Sequence, residues 1–293
     1  MINYFGCHVS AAGGYQNAIL AGKELGVNSI QIHPSAPQRW NFKPFDEGIE
    51  AEFNEVRKSS GIEKVFFHGI YLINLASPED DKRKRAILSL RHDLDLAERM
   101  NAEGVIFHVG SFKDEPDEEV GFKRIADSIL EIIDKAKGSK PLLLEVSAGA
   151  GRIVGAKLEE LARVYELTGR HPRVKFALDT QHMWASGYNW REGDVIGEVH
   201  KHFDLKNVLC IHLNDSKSAL GSKIDRHENL GKGEIGEKAI KALLHDPRVK
   251  EIPFVLETPA MKDIISAKEE VQIFRGMIDP ARTIFELEKL KNV

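Results

Sequence analysis

Two short segments carry acid–imidazole pairs at spacings that can grip a metal ion. In KIDRHENLGKGEIG (223–236), Asp225 and His227 stand two residues apart. In an extended loop both side chains point to one side, so both can bind one divalent ion. Two ligands leave such an ion under-coordinated, and a third must come from elsewhere. In ALDTQHMWASGYN (177–189), His182 follows Asp179 by three residues. A turn there lets the two serve neighbouring ions, and His182 is the natural third ligand for Asp225 and His227.

A wider pattern surrounds these pairs. Short apolar runs at 4–9, 29–33, 64–68, 105–108, 141–145, 174–179, 208–213 and 253–257 each carry His, Asp or Glu at or near the C-terminal end. The residues are His8, His33, His68, His108, Glu145, Asp179, His212 and Glu257. Imidazoles and carboxylates together are what a borderline-soft divalent ion takes. Buried carboxylates without a neutralising cation are costly. His68, His108, Glu145, Asp179, His212 and Glu257 are too many for one tetrahedral ion. They suit a two-ion cluster with a bridging carboxylate and open positions for water, a device of hydrolytic phosphoryl chemistry. A ring of plain His–carboxylate ion pairs is the alternative for the same residues.

Something must bring these ends together. The runs are rich in Val, Ile, Leu and Phe and mostly do not alternate, the pattern of parallel strands buried on both faces. Helical patterns lie between them. In SPEDDKRKRAILSLRHDLDLAERM (77–100), Ser77 suits a helix cap, Pro78 the first helical position and Asp80 a capping-box partner. Ile87, Leu90, Leu94 and Ala97 then form an apolar stripe, as do Ile125, Ile129, Ile132 and Ala136, and Leu158, Leu161 and Tyr165. Eight strand–helix units without a linker predict an α/β chain folded as one (β/α)8 TIM barrel over residues 1–293. In such a barrel chemistry sits at the C-terminal strand ends. An open doubly wound sheet is the alternative, but the first turn, HVSAAGGY (8–15), lacks the dinucleotide-binding glycine spacing.

Composition narrows the class. The chain has 293 residues, 42% hydrophobic and 29% charged, ordinary for a water-soluble protein. No apolar run is long enough to span a membrane, and the N-terminus lacks a secretory pattern, so a cytoplasmic location without membrane partners is expected. Cys7 and Cys210 are far apart in apolar runs and read as buried thiols, which argues against disulfides and cysteine-type zinc sites. A formal charge of −4 alone argues weakly against nucleic acid. Nothing demands more than a monomer.

Six segments carry a resemblance: GCHVSAAGG (6–14), YLINL (71–75), FHVGS (107–111), LDTQHMWASGY (178–188), HLNDSKSALGSKIDRHENLGKGEIG (212–236) and LET (256–258). Over essentially the whole chain, the sequence resembles the endonuclease IV family of apurinic/apyrimidinic endonucleases. The resemblance implies a TIM barrel with three zinc ions, Mn²⁺ being possible at some sites. It implies hydrolysis of double-stranded DNA 5′ to abasic sites, leaving a 3′-hydroxyl and also removing 3′-blocking groups. His68 and His108 would hold the first ion with Glu145, which bridges to the second. Asp179, His212 and Glu257 would complete the second, and His182, Asp225 and His227 the third. A hydroxide between the first two ions would be the nucleophile, oriented or deprotonated by Glu257. Three divalent ions would turn the formal −4 into about +2, concentrated at the barrel mouth beside Lys217, Lys223, Arg226 and Lys232.

Tyr71 and Leu72 match residues that enter the DNA, consistent with a wedge; a hydrophobic staple for the following helix is the other reading. Gly231 and Gly233 read as places where the backbone nears a phosphate. The chain also departs from the family. Where Arg-Gln-Trp is usual it has Gln38, Arg39 and Trp40, which leaves Gln38 and Arg39 as candidates for the inserting side chain. HPSAPQRW (33–40) brings Pro34 and Pro37. After Glu145 the family's Asn and Gln are Val146 and Ala150, removing polar neighbours of the ligand. Hydrolysis is expected to survive with an altered damage preference. The competing reading is a TIM-barrel sugar or sugar-phosphate isomerase with one Mn²⁺ or Mg²⁺, which has no need of the Asp225, His227 and His182 set. A DNA-binding protein without catalysis is the third reading, and the intact ligand set argues against it.

Overall fold

The computed structural model describes residues 2–113 and 115–279. The single domain read over 1–293 thus includes positions 1, 114 and 280–293, which lie outside the described residues. The apolar runs become β1 (Phe5–His8), β2 (Ser29–Ile32), β3 (Lys64–His68), β4 (Gly104–Phe107), β5 (Leu142–Glu145), β6 (Val174–Asp179) and β7 (Val208–His212). A two-residue pair, β8 (Asp215–Ser216) and β9 (His227–Glu228), precedes the last barrel strand, β10 (Phe254–Leu256). Strands β1–β7 and β10 close into one parallel barrel in the order β1-β10-β7-β6-β5-β4-β3-β2. The open doubly wound sheet is therefore excluded.

The α-helices among the described residues are α1 (Tyr15–Leu25), α2 (Glu50–Lys58), α3 (Asp80–Arg99), α4 (Glu118–Lys135), α5 (Leu158–Leu167), α6 (Thr180–Ser186), α7 (Val195–Phe203), α8 (Glu237–Leu244) and α9 (Ile264–Ile278). The stripes read from the sequence face inward: Ile87, Leu90, Leu94 and Ala97 of α3 are buried, as are Ile125, Ile129 and Ile132 of α4. One start is misplaced. The helix begins at Asp80 with Glu79 as its cap, not at Pro78. Ser77 Oγ accepts the Glu79 N–H at 3.2 Å, and Arg83 donates to the Ser77 carbonyl at 3.0 Å. The serine hydroxyl therefore closes a local turn ahead of the helix instead of capping its first turn.

Side chains on a strand alternate between its faces, so residues two apart share the barrel interior. Phe66, Ile106, Leu143, Ala177, Cys210 and Val255 form one apolar cluster there. Two residues further along each strand direction stand His68, His108, Glu145, Asp179, His212 and Glu257. A dry apolar layer thus lies directly beneath a polar one. Cys7 and Cys210 are both buried free thiols, and burial pushes Cys7 up to about 12. At Gly6 of β1 the sheet admits no side chain: a Cβ there would lie 1.8 Å from the Ser29 carbonyl oxygen of β2.

Candidate metal centre

The polar layer converges on Glu145, which is fully buried at the end of β5. Its Oε2 faces His68 Nε2 at 3.0 Å and His108 Nε2 at 3.4 Å. Its Oε1 faces His212 Nδ1 at 2.9 Å and His182 Nδ1 at 3.4 Å. Glu257, one residue past β10, brings Oε2 to 3.2 Å from His212 Nδ1. Asp179 ends β6 and caps α6, its Oδ1 accepting the His182 N–H at 2.8 Å. That junction turns the spacing of three into proximity. Asp179 Oδ2 accepts from Asn214 at 2.7 Å and lies 3.8 Å from both His212 and His227.

Beside them the long loop after β7 returns through the β8–β9 pair. Asp225 Oδ1 lies 3.4 Å from His182 Nε2 and 3.4 Å from His227 Nε2, and those two nitrogens are 3.5 Å apart. Three donor sets therefore stand side by side: His68, His108 and Glu145; Glu145, Asp179, His212 and Glu257; and His182 with His227, reached by Asp179 as well as Asp225. Among the described residues, every ion pair made by Glu145, Asp179, Asp225 or Glu257 goes to a histidine. Without lysine or arginine partners, only protons or cations can balance this charge. The donor chemistry fits divalent ions.

The ring orientations agree with that fit. His68 Nδ1 donates to the Gly69 carbonyl, His182 Nδ1 to that of Val146 and His227 Nδ1 to that of Glu257, at 2.8, 3.0 and 3.1 Å. A ring nitrogen facing a carbonyl must carry the proton, so Nε2 of each is left to accept from the site. Val146 serves through its main chain, so the lost polar side chain at that position does not touch this contact. His108 sets Nδ1 3.4 Å from Ser147 Oγ.

Without ions, protons share the site. Burial works against a charged His212, but Glu257 and Glu145 outweigh it and hold its pKa well above the usual value. Burial is likewise outweighed at His182 by Asp179, Asp225 and Glu145, and at His68 by Glu145 and Glu257. Burial alone would raise Glu145, yet His108, His212 and His182 pull it well below the carboxylate range. At Asp225 burial is overcome by His182 and His227, and its pKa falls to about 2. Burial dominates at His108 and lowers it.

A cavity of about 410 Å³ opens over the centre and is lined also by His8, His33, Tyr71, Met261 and Lys262. His8 and His33, read from the sequence as strand-end groups, thus line the cavity but belong to none of the three sets. Burial holds His33 down to about 4 and His8 well below its usual value. A second cleft of about 550 Å³ shares Tyr71, His108, His182 and Asp225 as walls and is lined further by Leu72 and Ala150.

Tyr71 and Leu72 stand out at the rim, 62% and 40% exposed, and the Tyr71 N–H donates to Pro37 O at 2.9 Å. Gln38 and Arg39 are exposed on that same β2–α2 loop. Lys217 and Arg226 are exposed and paired through the main chain, Lys217 N–H to Arg226 O at 2.9 Å. Gly231 is exposed with a positive φ of 73°. Gly233 has an internal reason for lacking a side chain, since a Cβ would lie 2.3 Å from Ser216 O. Its N–H and that of Ile235 are held by the buried Asp215 carboxylate at 3.0 and 2.9 Å.

Sequence reasoning missed Asn214, Asp215 and Gln31. Asp215 folds the glycine loop. Asn214 ties Asp179 to the Glu257 N–H, which it accepts at 3.0 Å. Gln31 is fully buried beneath His8 and Glu257. Its signal was available: two-residue alternation puts Ser29, Gln31 and His33 on one face of β2.

Comparison with known proteins agrees with this architecture. Residues 19–277 match the family described as xylose isomerase-like TIM barrel. A probable endonuclease 4 of Chloroflexus aggregans is 34% identical over 279 residues, covering 94% of this chain and 97% of the relative. The crystal structure of endonuclease IV from Thermus thermophilus superposes with a TM-score of 0.84 at 31% identity, covering 95% of this chain and all of that one. A D-tagatose 3-epimerase-like protein shares the fold at 16% identity with a TM-score of 0.70. With near-complete coverage at about one-third identity, the chain belongs to the endonuclease IV family of xylose isomerase-like TIM barrels.

Proposed function

We propose that the chain is a metal-dependent endodeoxyribonuclease of DNA repair. It hydrolyses the phosphodiester 5′ to an abasic site in double-stranded DNA, leaves a 3′-hydroxyl and removes 3′-blocking groups at the same centre. One observation carries this reading beyond family membership: the third donor set, His182, Asp225 and His227, with mutual distances of 3.4 to 3.5 Å. An isomerase built on one ion has no use for it.

His68, His108 and Glu145 would hold one ion, Glu145, Asp179, His212 and Glu257 a second, and His182, Asp225 and His227 a third. The imidazole-rich set favours Zn²⁺, with Mn²⁺ compatible. Bound ions there lower the pKa of a water and neutralise charge on phosphate oxygens. The chain's own groups do the rest. Glu257 keeps 19% of its side chain exposed and can take the proton of the attacking water. Lys262, which also lines the cavity, would supply positive charge for the phosphate.

The abasic nucleotide must leave the helix to reach this cavity. Tyr71 and Leu72 are suited to fill the gap, with Gln38 or Arg39 beside them. Lys217, Arg226 and the Gly231 backbone would track the phosphates. Ala150, lining the second cleft, leaves room where the family carries Gln, which supports a shifted damage preference.

The decisive experiment is cleavage of a duplex bearing one synthetic abasic site, with and without chelator, alongside elemental analysis of the purified protein. Chelator-sensitive nicking and three ions per chain are expected. Metal-loaded protein that leaves the duplex intact refutes the reading, and one ion per chain returns the isomerase.

A further inference from the structure

We infer that Gln31 is a positioning residue of the metal centre: its one amide sets the ring orientation of His212 and anchors one oxygen of Glu257. The inference rests on the metal-centre reading and deepens it.

Gln31 lies in the polar layer on β2 and is fully buried. Its Oε1 is 2.7 Å from His212 Nε2. Its Nε2 is 2.5 Å from Glu257 Oε1 and 3.3 Å from His8 Nδ1. Chemistry decides which way the amide points. Flipped, its oxygen would face the Glu257 carboxylate and its NH₂ would face His212. As it stands, NH₂ donates to Glu257 and His8, and the oxygen accepts from His212.

With a cation bound, an imidazole that donates from Nε2 would offer its Nδ1 lone pair to the ion that Glu145, Asp179 and Glu257 surround. This is the reverse of His68, His182 and His227, whose Nδ1–H groups rest on main-chain carbonyls and whose Nε2 atoms face the site. His212 alone of these four is oriented by a side chain, and is therefore the one that a point mutation can release. The same amide also holds Glu257, so two groups of one donor set depend on it. A glutamate at this position would set a second carboxylate against Glu257. An apolar residue would take the amide oxygen from His212 Nε2 and leave the ring only the weakly bonding Cys210 thiol besides the carboxylates.

The test needs no DNA. Protein is reloaded with Co²⁺, and ion content and visible spectrum are followed during titration with a graded chelator. Gln31→Met keeps the length and packing but makes none of the three hydrogen bonds. It is expected to release one ion ~10- to 100-fold more readily than wild type, with an altered cobalt spectrum, and to keep the others. All ions retained at wild-type affinity with an unchanged spectrum would overturn the inference.

Should the variant fold poorly, ¹⁵N-histidine NMR of the zinc-loaded wild type answers the same question. His212 is expected to be protonated on Nε2, and His68, His182 and His227 on Nδ1. A His212 protonated on Nδ1 would sink it. Absence of nicking by wild-type protein would fell the proposed function while leaving both of these readings intact.

Discussion

The barrel interior holds two layers, one residue pair apart along the same strands, with opposite chemistry. Phe66, Ile106, Leu143, Ala177, Cys210 and Val255 fill the lower layer with apolar atoms. His68, His108, Glu145, Asp179, His212 and Glu257 fill the upper one. Both are largely buried, yet burial favours folding in the first and opposes it in the second until charge is balanced. Stability and chemistry are thereby separated by about 7 Å of strand. The lower layer can be tuned for packing, and the upper for donors, on a shared backbone.

Substitutions can break that division. The largest effect is expected from Glu145→Gln, which keeps the shape but removes the carboxylate shared by two donor sets. Nicking of an abasic duplex should fall ~10³-fold or more. Chemical unfolding of the metal-free variant should also report some loss of stability, because His68, His182 and His212 lose a carboxylate that balances them. In the lower layer, Phe66→Ala should reverse the balance. Urea unfolding should report a loss of roughly 3–5 kcal/mol, with the nicking rate per folded molecule affected far less than in Glu145→Gln.

A subtler contrast appears on titration. In metal-free protein the neighbouring carboxylates raise the pKa values of His68, His182 and His212, so each holds its proton to a higher pH than a free imidazole does. Their contribution to stability is complete below the unfolded value of about 6.5 and fades as pH rises through the raised folded values. Glu145, with its lowered pKa, contributes above the ordinary carboxylate value and loses that only as acid reaches its folded pKa. Metal loading should therefore release protons into a weakly buffered solution, and apparent affinity should rise with pH by ~10-fold per unit for each proton displaced. Loading without proton release would show that the histidines are already neutral. The smallest effect is expected at Val146→Ala. Stability should drop by about 1–2 kcal/mol from lost burial while nicking and ion content stay unchanged, since His182 rests on the main-chain oxygen of residue 146.

Much of this was legible in the chain because buried parallel strands read as apolar runs and a barrel brings their ends to one rim. That is why His68, Glu145 and His212, far apart in sequence, could be grouped before any coordinates. Other features depended on atoms rather than residue types. Ser77 has the chemistry of a cap, but which N–H its hydroxyl meets is decided by the path of the preceding loop. Gln31 escapes a reading of strand-terminal residues because it stands one position before the end of β2, and an amide titrates nothing. The glycines of 231–236 suggested a surface for phosphate, whereas Asp215, which already occupies the Gly233 N–H, sits in a strand of only two residues that no periodicity reveals.

Three of the ring-orienting acceptors are main-chain oxygens, those of Gly69, Val146 and Glu257. No substitution can delete a carbonyl. The loops that bear two of them can therefore drift in side-chain identity, as at Val146, while the imidazoles above them keep their aim. Sequence divergence around the rim is thus decoupled from the geometry of the centre, so the loops that carry Gln38, Arg39, Tyr71 and Leu72 can change without altering how the imidazoles are aimed.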